Sequence, residues 1–289
     1  MCPKILKVKI QFCSLLFLVC FLSSCGKKED VLKIKGSDTE VNISVLLSEA
    51  YFMQNKKVQL SVSGGGSGLG IASLLNGLAD IANSSRPMND NEVTLFKEKQ
   101  VEFVPYVFAQ DALAIITHTN LGIDSLSVDE VKQIFKGEIT DWQQLGQNKM
   151  PVTLYGRQSN SGTHAYLKSK LKIEFSPYAK EMNGNAQIIE AVKADKGGFG
   201  YVGAGYVLKN GRQADTNIKI LKIYEKGTIA YSPLYYNAVI QQQYYFQRPL
   251  FQYILKSSYA KAQPLLDFEK SEAGQKIIVN NGYFPAITN

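Results

Sequence analysis

The sequence predicts an α/β protein with mixed, mostly parallel sheets flanked by helices. Short apolar strands alternate with amphipathic helices along the chain, and the turns between a strand and the next helix are rich in Gly, Ser and Thr. This alternation is typical of strand–helix–strand units, in which the strands pair in parallel. The 289 residues are enough for one large domain or for two lobes.

The expected elements follow one another without an internal repeat or a low-complexity linker. Strands are predicted where apolar residues alternate, and helices where they recur every three to four positions. The strands cover residues 31–35, 58–62, 80–82, 103–108, 112–117, 152–155, 198–202, 218–223 and 246–254, and the helices lie near residues 41–52, 71–78, 89–99, 126–131, 166–171, 186–194, 262–268 and 271–279. We expect the chain to cross between two lobes near Ala112 and Tyr224.

Residues 1–25 have the pattern of a bacterial lipoprotein signal peptide. Three lysines precede an apolar run at residues 10–22, which is short for a membrane span but suits a signal peptide. The segment Leu22-Ser23-Ser24-Cys25-Gly26 resembles a lipobox, so we expect cleavage before Cys25, lipidation of Cys25, and a tether at residues 26–30. An uncleaved signal anchor and a simple secretory signal are the alternatives.

Cysteine usage and charge exclude several functions. Three of the four cysteines lie in the predicted signal peptide, so the remaining chain forms neither an internal disulfide nor a cysteine-based zinc site. The whole chain has a net charge of +7; residues 1–25 hold three lysines and no acids, which leaves 29 − 25 = +4. This mild excess suits an acidic small ligand or an anionic membrane, and without a block of Lys and Arg we expect no nucleic acid partner.

Four strand-to-helix turns have the composition of an anion site, at residues 36–39, 64–70, 83–86 and 157–163. Each places hydroxyls and backbone N–H groups at the carboxyl end of a strand, where open α/β sheets bind ligands. In the last turn Ser161 is the predicted N-cap of a helix, and Arg157 supplies a planar charge that matches two oxyanion oxygens. The alternative for this turn is an ordinary capped helix with a solvent-facing arginine.

Other chemistries fit the motifs less well. Residues 64–70 satisfy neither GxGxxG nor GxSxG, no GxxxxGK[ST] occurs, and no metal-ligand spacing is present, so we expect no cofactor and no metal. A hydrolase that uses Ser161 or Ser67 with His164 as base stays an alternative. His164 is otherwise expected on the rim of the site.

The motifs GSDT at 36–39, SGGGSG at 63–68, DIANSSRPM at 80–88 and GRQSNSGT at 156–163 resemble the phosphate-binding proteins of bacterial phosphate ABC transporters. Residues 126–142 and the closing NGYFP fit the same family. The resemblance runs over nearly the whole chain after the signal peptide, in the right order. It implies a two-lobed periplasmic-binding-protein fold of type II, with lobe 1 at residues 31–112 plus 225–289, lobe 2 at 113–224, and phosphate in the interlobe cleft.

The resemblance also implies the binding residues, which are Ser37, Asp38, Thr39, Ser67, Gly68, Ser85, Arg86, Arg157, Ser161, Gly162 and Thr163. One departure concerns Ser85, which stands where well-known members have an Asp that accepts the proton of hydrogen phosphate and so rejects sulfate. Asp38 is the candidate for that role, because a carboxylate beside a dianion requires a shared proton. If Asp38 instead caps its helix, the candidate site lacks an identified acceptor for the proton of hydrogen phosphate, on which selectivity depends.

The resemblance implies a non-enzymatic receptor, monomeric and extracytoplasmic, that is held on a membrane by lipid on Cys25 and delivers phosphate to an ABC permease. The alternatives are a receptor for sulfate, molybdate or tungstate, the hydrolase, and a signalling or adhesive lipoprotein that kept only the fold.

Overall fold

The structure is a computed structural model, and it describes residues 31–56, 58–209 and 213–286. The predicted signal peptide, Cys25 and the tether lie outside the described residues. The chain from Leu32 onward forms one compact unit. In the described ranges, no helix combines the length and the apolar character needed to cross a membrane.

The described chain alternates strands and helices, as the sequence predicts. The helices are α1 Val41–Gln54, α2 Ser67–Leu75, α3 Asp90–Glu98, α4 Val128–Lys136, α5 Gly162–Leu171, α6 Asn185–Ala194, α7 Tyr236–Ile240, α8 Tyr259–Lys270 and α9 Glu272–Asn280. The strands are β1 Val31–Gly36, β2 Gln59–Ser63, β3 Ile81–Ser84, β4 Phe103–His118, β5 Ser125–Ser127, β6 Thr153–Arg157, β7 Lys180–Met182, β8 Gly198–Gly203, β9 Leu208–Lys209, β10 Gln213–Ala214, β11 Ile218–Ile220, β12 Lys222–Tyr224, β13 Gln247–Leu255 and β14 Phe284–Pro285.

Local capping fixes where several helices begin. Helices α3 and α4 each start with a capping box, formed by Asn89 with Glu92 and by Ser127 with Glu130. In each box the first side chain accepts from the N3 backbone, while the carboxylate accepts from the cap backbone. Ser161 caps α5 by accepting from the backbone of Thr163 and His164, which confirms it as the N-cap.

Ten strands among the described residues join in one mixed sheet. The order is β2-β1-β3-β13-β4-β8-β6-β7, and β11 and β14 also pair with β4. Strand β3 runs parallel to β1, and β6 runs parallel to β7 and β8, whereas β13 is antiparallel to both β3 and β4. The prediction of mixed sheets flanked by helices is confirmed.

Strand β4 connects the two ends of this sheet. Its residues 103–112 pair with β13, and residues 113–117 pair with β8. The sequence predicts two strands here, because Ala109, Gln110 and Asp111 interrupt the apolar pattern. The structure has one strand of 16 residues, since this stretch keeps its ladder with β13 while the side chain of Asp111 finds a buried partner on that strand.

Two other elements differ from their predicted limits. Residues 218–223 form the separate strands β11 and β12, which pair with β4 and β5 respectively. Helix α2 begins at Ser67 rather than at residue 71, directly after Gly66. Gly66 has a φ of +100°, a conformation that glycine adopts freely and that turns the chain straight into the helix.

Separate hydrophobic clusters pack on the two ends of the sheet. One cluster, which includes Leu32, Ile81 and Leu265, packs around β1, β3 and the C-terminal helices. A second, which includes Phe135, Trp142 and Phe199, packs around β8 and α4, and residues 239–246 also contribute to it. The turns that carry the predicted site lie between these clusters.

Candidate functional site

The turn after β1 places the carboxylate of Asp38 against β6 and α6. Asp38 Oδ2 lies 3.1 Å from Nη1 of Arg157, and it also accepts from the backbone N–H and the side-chain Nδ2 of Asn185, at 2.9 and 2.7 Å. Asn185 is the first residue of α6, so the carboxylate of Asp38 lies at the N-terminus of that helix, where backbone amides lack partners within the helix. Asp38 therefore does not cap its own helix; the Ser37 side chain makes no cap hydrogen bond there either.

Arg157 is the last residue of β6, and its side chain is only 3% exposed. Its Nη2 donates to the backbone carbonyl of Asn183 at 3.0 Å, and the Tyr201 hydroxyl lies 2.9 Å from its backbone N–H. Within the described part of the chain, Nε has no hydrogen-bond partner. The guanidinium is thus held at two nitrogens and retains one buried donor.

Ser67, Ser85 and Gly162 converge from three different turns. Ser67 Oγ accepts from the backbone N–H of Ser85 at 3.1 Å, and the two hydroxyl oxygens are 3.5 Å apart. A Cβ on Gly162 would lie 2.1 Å from Ser67 Oγ and 2.5 Å from Ser85 Oγ. Only glycine fits here, because the backbone at the N-terminus of α5 packs directly against both hydroxyls.

Thr39 and Thr163 meet in the same buried region. Their hydroxyl oxygens are 3.1 Å apart, and both side chains are about 1% exposed. The hydroxyl of Tyr283 donates to the backbone carbonyl of Thr39, and the hydroxyl of Tyr206 donates to that of Asp38, at 2.6 and 2.5 Å. These two hydrogen bonds hold the backbone of the turn after β1 in place.

The glycine-rich turn after β2 is tied to the turn that precedes α5. Gly68 N–H donates to the carbonyl of Asn160 at 3.1 Å, and Asn160 Nδ2 donates to the carbonyl of Gly65 at 3.2 Å. The amide of Gly68, which the resemblance assigns to the ligand, is therefore engaged by protein in this structure. These bonds hold the two turns against each other.

The guanidinium of Arg86 is engaged elsewhere. It makes a two-pronged ion pair with Glu92, with both N–O distances at 2.7 Å, and it donates to the carbonyl of Pro87. Glu92 is also the carboxylate of the α3 capping box. The structure thus brings together the other candidates, Ser37 to Thr39, Ser67, Gly68, Ser85, Arg157 and Ser161 to Thr163, but binds Arg86 to α3.

His164 is placed as a packing residue. Its Nδ1 lies 3.0 Å from the carbonyl of Arg157, and its ring packs on Phe175 with 4.5 Å between centroids. Burial lowers the pKa of His164. Among the described residues, the imidazole makes no hydrogen bond to the hydroxyl of Ser161 or Ser67, so the nucleophile–base pair of a hydrolase is not formed.

The cluster contains residues that the sequence argument did not identify. Arg248, on β13, donates through Nη2 to Thr39 Oγ1 at 3.2 Å and to Thr163 Oγ1 at 3.1 Å, and it forms a buried ion pair with Asp111. The predicted helix at residues 186–194 begins after Asn185, and the sequence assigns no role to that residue. The available signal for Arg248 is a charged residue inside a predicted strand that is rich in apolar residues, because such a charge requires a buried partner.

Comparisons with known proteins identify the family of this chain. Residues 24–272 match the model of the PBP superfamily domain. The phosphate-binding protein PstS of Pseudomonas aeruginosa is 30% identical over 271 residues, which cover 86% of this chain and 81% of that protein.

Solved structures have the same fold. An ABC-type phosphate transport receptor from Vibrio cholerae aligns with a TM-score of 0.69 and 25% identity, over 88% of this chain and all of that one. A substrate-binding protein from Clostridium perfringens, assigned to a phosphate ABC transporter and solved with bound phosphate, aligns with a TM-score of 0.78 and 23% identity, over 89% of this chain and all of that one. The chain belongs to the PBP superfamily and, within it, to the family of phosphate ABC-transporter substrate-binding proteins.

Proposed function

We propose that this protein is an extracytoplasmic receptor that captures inorganic phosphate by cleft closure and delivers it to an ABC permease. The relatives support this assignment, since the P. aeruginosa protein is a phosphate-binding protein and the V. cholerae protein is a phosphate transport receptor. The proposal requires no cofactor and no covalent step.

The observation that carries the proposal is the convergence of Ser67, Ser85 and Gly162 at the N-terminus of α5, the helix that follows Arg157 and its buried guanidinium. Three turns, separated by up to 95 positions along the chain, bring hydroxyl donors to the N-terminus of α5. Hydroxyls, backbone amides at a helix N-terminus and guanidinium groups donate the hydrogen bonds that oxyanions accept.

Hydrogen bonds to charged groups contribute about 1.5–3 kcal/mol each. Several such bonds, less the costs of desolvating phosphate and ordering the site, suffice for the roughly −8 kcal/mol of a micromolar complex. High affinity therefore depends on preorganisation, which the Asp38–Arg157 pair and the serine contacts supply.

We further propose that the two lobes comprise residues 31–112 plus 225–289 and residues 113–224. The contacts that would then cross the cleft include Asp38 to Arg157, Thr39 to Thr163 and Gly68 to Asn160. A ligand that binds groups of both lobes stabilises the closed form over the open form. Closure of this kind is a well-described motion of periplasmic binding proteins.

A receptor rather than an enzyme is favoured by His164, whose Nδ1 faces the carbonyl of Arg157 instead of a serine hydroxyl. The remaining rival is a receptor for another oxyanion. Ser85 provides no carboxylate, and Asp38 Oδ2 already accepts three hydrogen bonds. Among the candidate binding residues, this leaves Asp38 Oδ1 as the carboxylate oxygen that can accept the proton of hydrogen phosphate, and we propose that selectivity against sulfate depends on it.

The cellular setting is part of the same proposal. Lipid on Cys25 and the tether at residues 26–30 would hold a monomeric body outside the cytoplasm, close to its permease. Lipid chains contribute about 0.8 kcal/mol per buried methylene, so more than one chain anchors a protein stably.

Equilibrium dialysis with radiolabelled phosphate tests the proposal. The body at residues 27–289, stripped of carried-over phosphate, should bind one phosphate per chain near pH 7. Unlabelled phosphate should displace the label, and a hundredfold excess of sulfate should not. Displacement by sulfate at equal concentration would favour the wider oxyanion receptor, and absence of binding would reject the proposal.

A further inference from the structure

Arg248 is the most deeply buried cation near the candidate site. Its side chain is 1% exposed, and that of its partner Asp111 is fully buried. The two residues face each other across the β13–β4 ladder, with Nε and Nη2 at 3.1 and 2.9 Å from Asp111 Oδ2. Tyr166 covers the guanidinium, with its ring centroid 5.3 Å from Cζ, an arrangement that excludes water and adds a cation–π contact.

The same guanidinium reaches both threonines of the cluster. Nη2 donates to Thr39 Oγ1 and to Thr163 Oγ1 at 3.2 and 3.1 Å. A hydroxyl that accepts from a guanidinium keeps its own hydrogen for another acceptor. The two threonines can use one of their two hydrogens between themselves, so at least one O–H remains to be donated elsewhere.

Arg248 also retains a donor of its own. Within the described residues, Nη1 is buried and makes no hydrogen bond, as is the case for Nε of Arg157. An unpartnered buried donor is unfavourable, and more so when it belongs to a charged group. Arg248 contacts both threonine hydroxyls, and Arg157 pairs with Asp38, the neighbour of Thr39, so the spare donors of both residues fit an anionic acceptor in this region.

We propose that Arg248 is a second cationic determinant of the anion site, which orients the hydroxyls of Thr39 and Thr163 as donors to the bound anion. This inference rests on the proposed function. The contrasting view is that Arg248 and Asp111 only join β13 to β4, as a buried ion pair can.

Two buried acids, Glu40 and Asp111, act on the charge of Arg248. Burial raises the pKa of Glu40 well above its usual range, which favours the uncharged acid beside Arg248. Burial also raises the pKa of Asp111, against the attraction of Arg248. Asp111 is the carboxylate in direct contact with Arg248, and through Oδ2 it binds Nε and Nη2 and leaves Nη1 available.

The test compares phosphate affinity and thermal stability in matched variants of residues 27–289. Arg248→Gln should weaken phosphate binding by about tenfold or more, the loss of about one hydrogen bond to a charged group. Arg248→Lys keeps the positive charge but not the planar guanidinium, and it should reduce phosphate affinity less than Arg248→Gln does. Gln252→Met is the control, because Gln252 is buried on the same strand and binds Glu269 instead of the hydroxyls; it should lower the Tm and leave phosphate affinity within about threefold.

A double-mutant cycle separates positioning from structural support. In a Thr39→Val, Thr163→Val background, Arg248→Lys should change affinity much less than it does in the wild type, because the hydroxyls that it orients are gone. If Arg248→Lys reduces affinity equally in both backgrounds, or if a folded Arg248 variant has wild-type affinity, this inference is overturned and the proposed function still stands. If Arg248→Gln does not fold, the cycle with Arg248→Lys still tests whether Arg248 acts through the two threonine hydroxyls. A wild-type protein that binds no phosphate would overturn both the proposed function and this inference.

Discussion

The Asp38 carboxylate and the Arg157 guanidinium form an ion pair with 3.1 Å between Oδ2 and Nη1, although 119 positions separate them in the chain. The same oxygen accepts two hydrogen bonds from Asn185, so three donors fix the carboxylate. Arg157 is consequently held in place while its Nε remains without a partner in the described chain. This pair connects the turn after β1 with the end of β6, and the predictions for the site start from it.

Replacing Arg157 should weaken anion binding strongly. Arg157→Ala removes the buried charge and the spare Nε donor, and we expect phosphate affinity to fall by at least about tenfold. The protein should still show a cooperative thermal transition, because the guanidinium is not part of a hydrophobic cluster. Unchanged affinity in calorimetry would remove Arg157 from the site.

Arg86 provides a matched arginine control. Its guanidinium pairs with Glu92 and supports the cap of α3. Arg86→Ala should therefore lower the Tm, while phosphate affinity stays within about threefold of the wild type. A loss as large as that of Arg157→Ala would show that Arg86 reaches the anion, as the family motif implies.

Asp38 should control selectivity. Asp38→Asn removes the only carboxylate among the candidate residues and leaves an amide that cannot accept a shared proton in the same way. We expect the ratio of phosphate affinity to sulfate affinity to decrease. Titration of both anions checks this, and an unaltered ratio would assign discrimination to another group.

Gly162 should tolerate no side chain. A Cβ would overlap Ser67 Oγ and Ser85 Oγ, so Gly162→Ala must separate α5 from these hydroxyls, and we expect phosphate affinity to decrease by about tenfold or more. Gly77→Ala is the control for a general loss of stability: its Cβ would meet nothing within 4 Å, but its φ of +67° disfavours a side chain, so the Tm should fall while phosphate affinity stays unchanged. Equal affinity of both variants would mean that this contact opens when the ligand binds.

Glu269 should make stability depend on pH. Burial raises its pKa to about 7, against about 4.3 in an unfolded chain, so the folded state retains a proton that the unfolded state loses. This contribution is fully present below about pH 4 and is lost as the pH rises towards 7, by at most about 1.4 kcal/mol per pH unit. Denaturant unfolding of Glu269→Gln should therefore show a flatter profile between pH 5 and 8. Parallel curves of stability against pH for the variant and the wild type would contradict the raised pKa of Glu269.

Local rules explain what the sequence predicted correctly. The cap at Ser161 depends on residues within one helical turn, and the polar turns after β1, β2 and β3 follow directly from Gly and Ser positions. The role of Arg248 could not be predicted in this way, because its partners Asp111 and Thr39 are 137 and 209 positions away. Their meeting depends on strand order, which no local pattern specifies.

The Arg86 contact shows the opposite case. Its partner Glu92 is six positions away, and Asn89 with Glu92 has the spacing of a capping box. The family motif suggested an anion ligand, whereas the local sequence already contained a competing carboxylate. An acid a few positions away in the sequence is thus a signal to consider before an arginine is assigned to a ligand.

The most direct measurement is calorimetric titration of residues 27–289 with phosphate and with sulfate, for the wild type and Arg157→Ala side by side at pH 7. Tight phosphate binding with little heat from sulfate, together with a weakened Arg157 variant, is the predicted result. Wild-type protein that binds sulfate as tightly as phosphate, or that binds neither anion, would contradict the assignment of the buried cluster as a phosphate site.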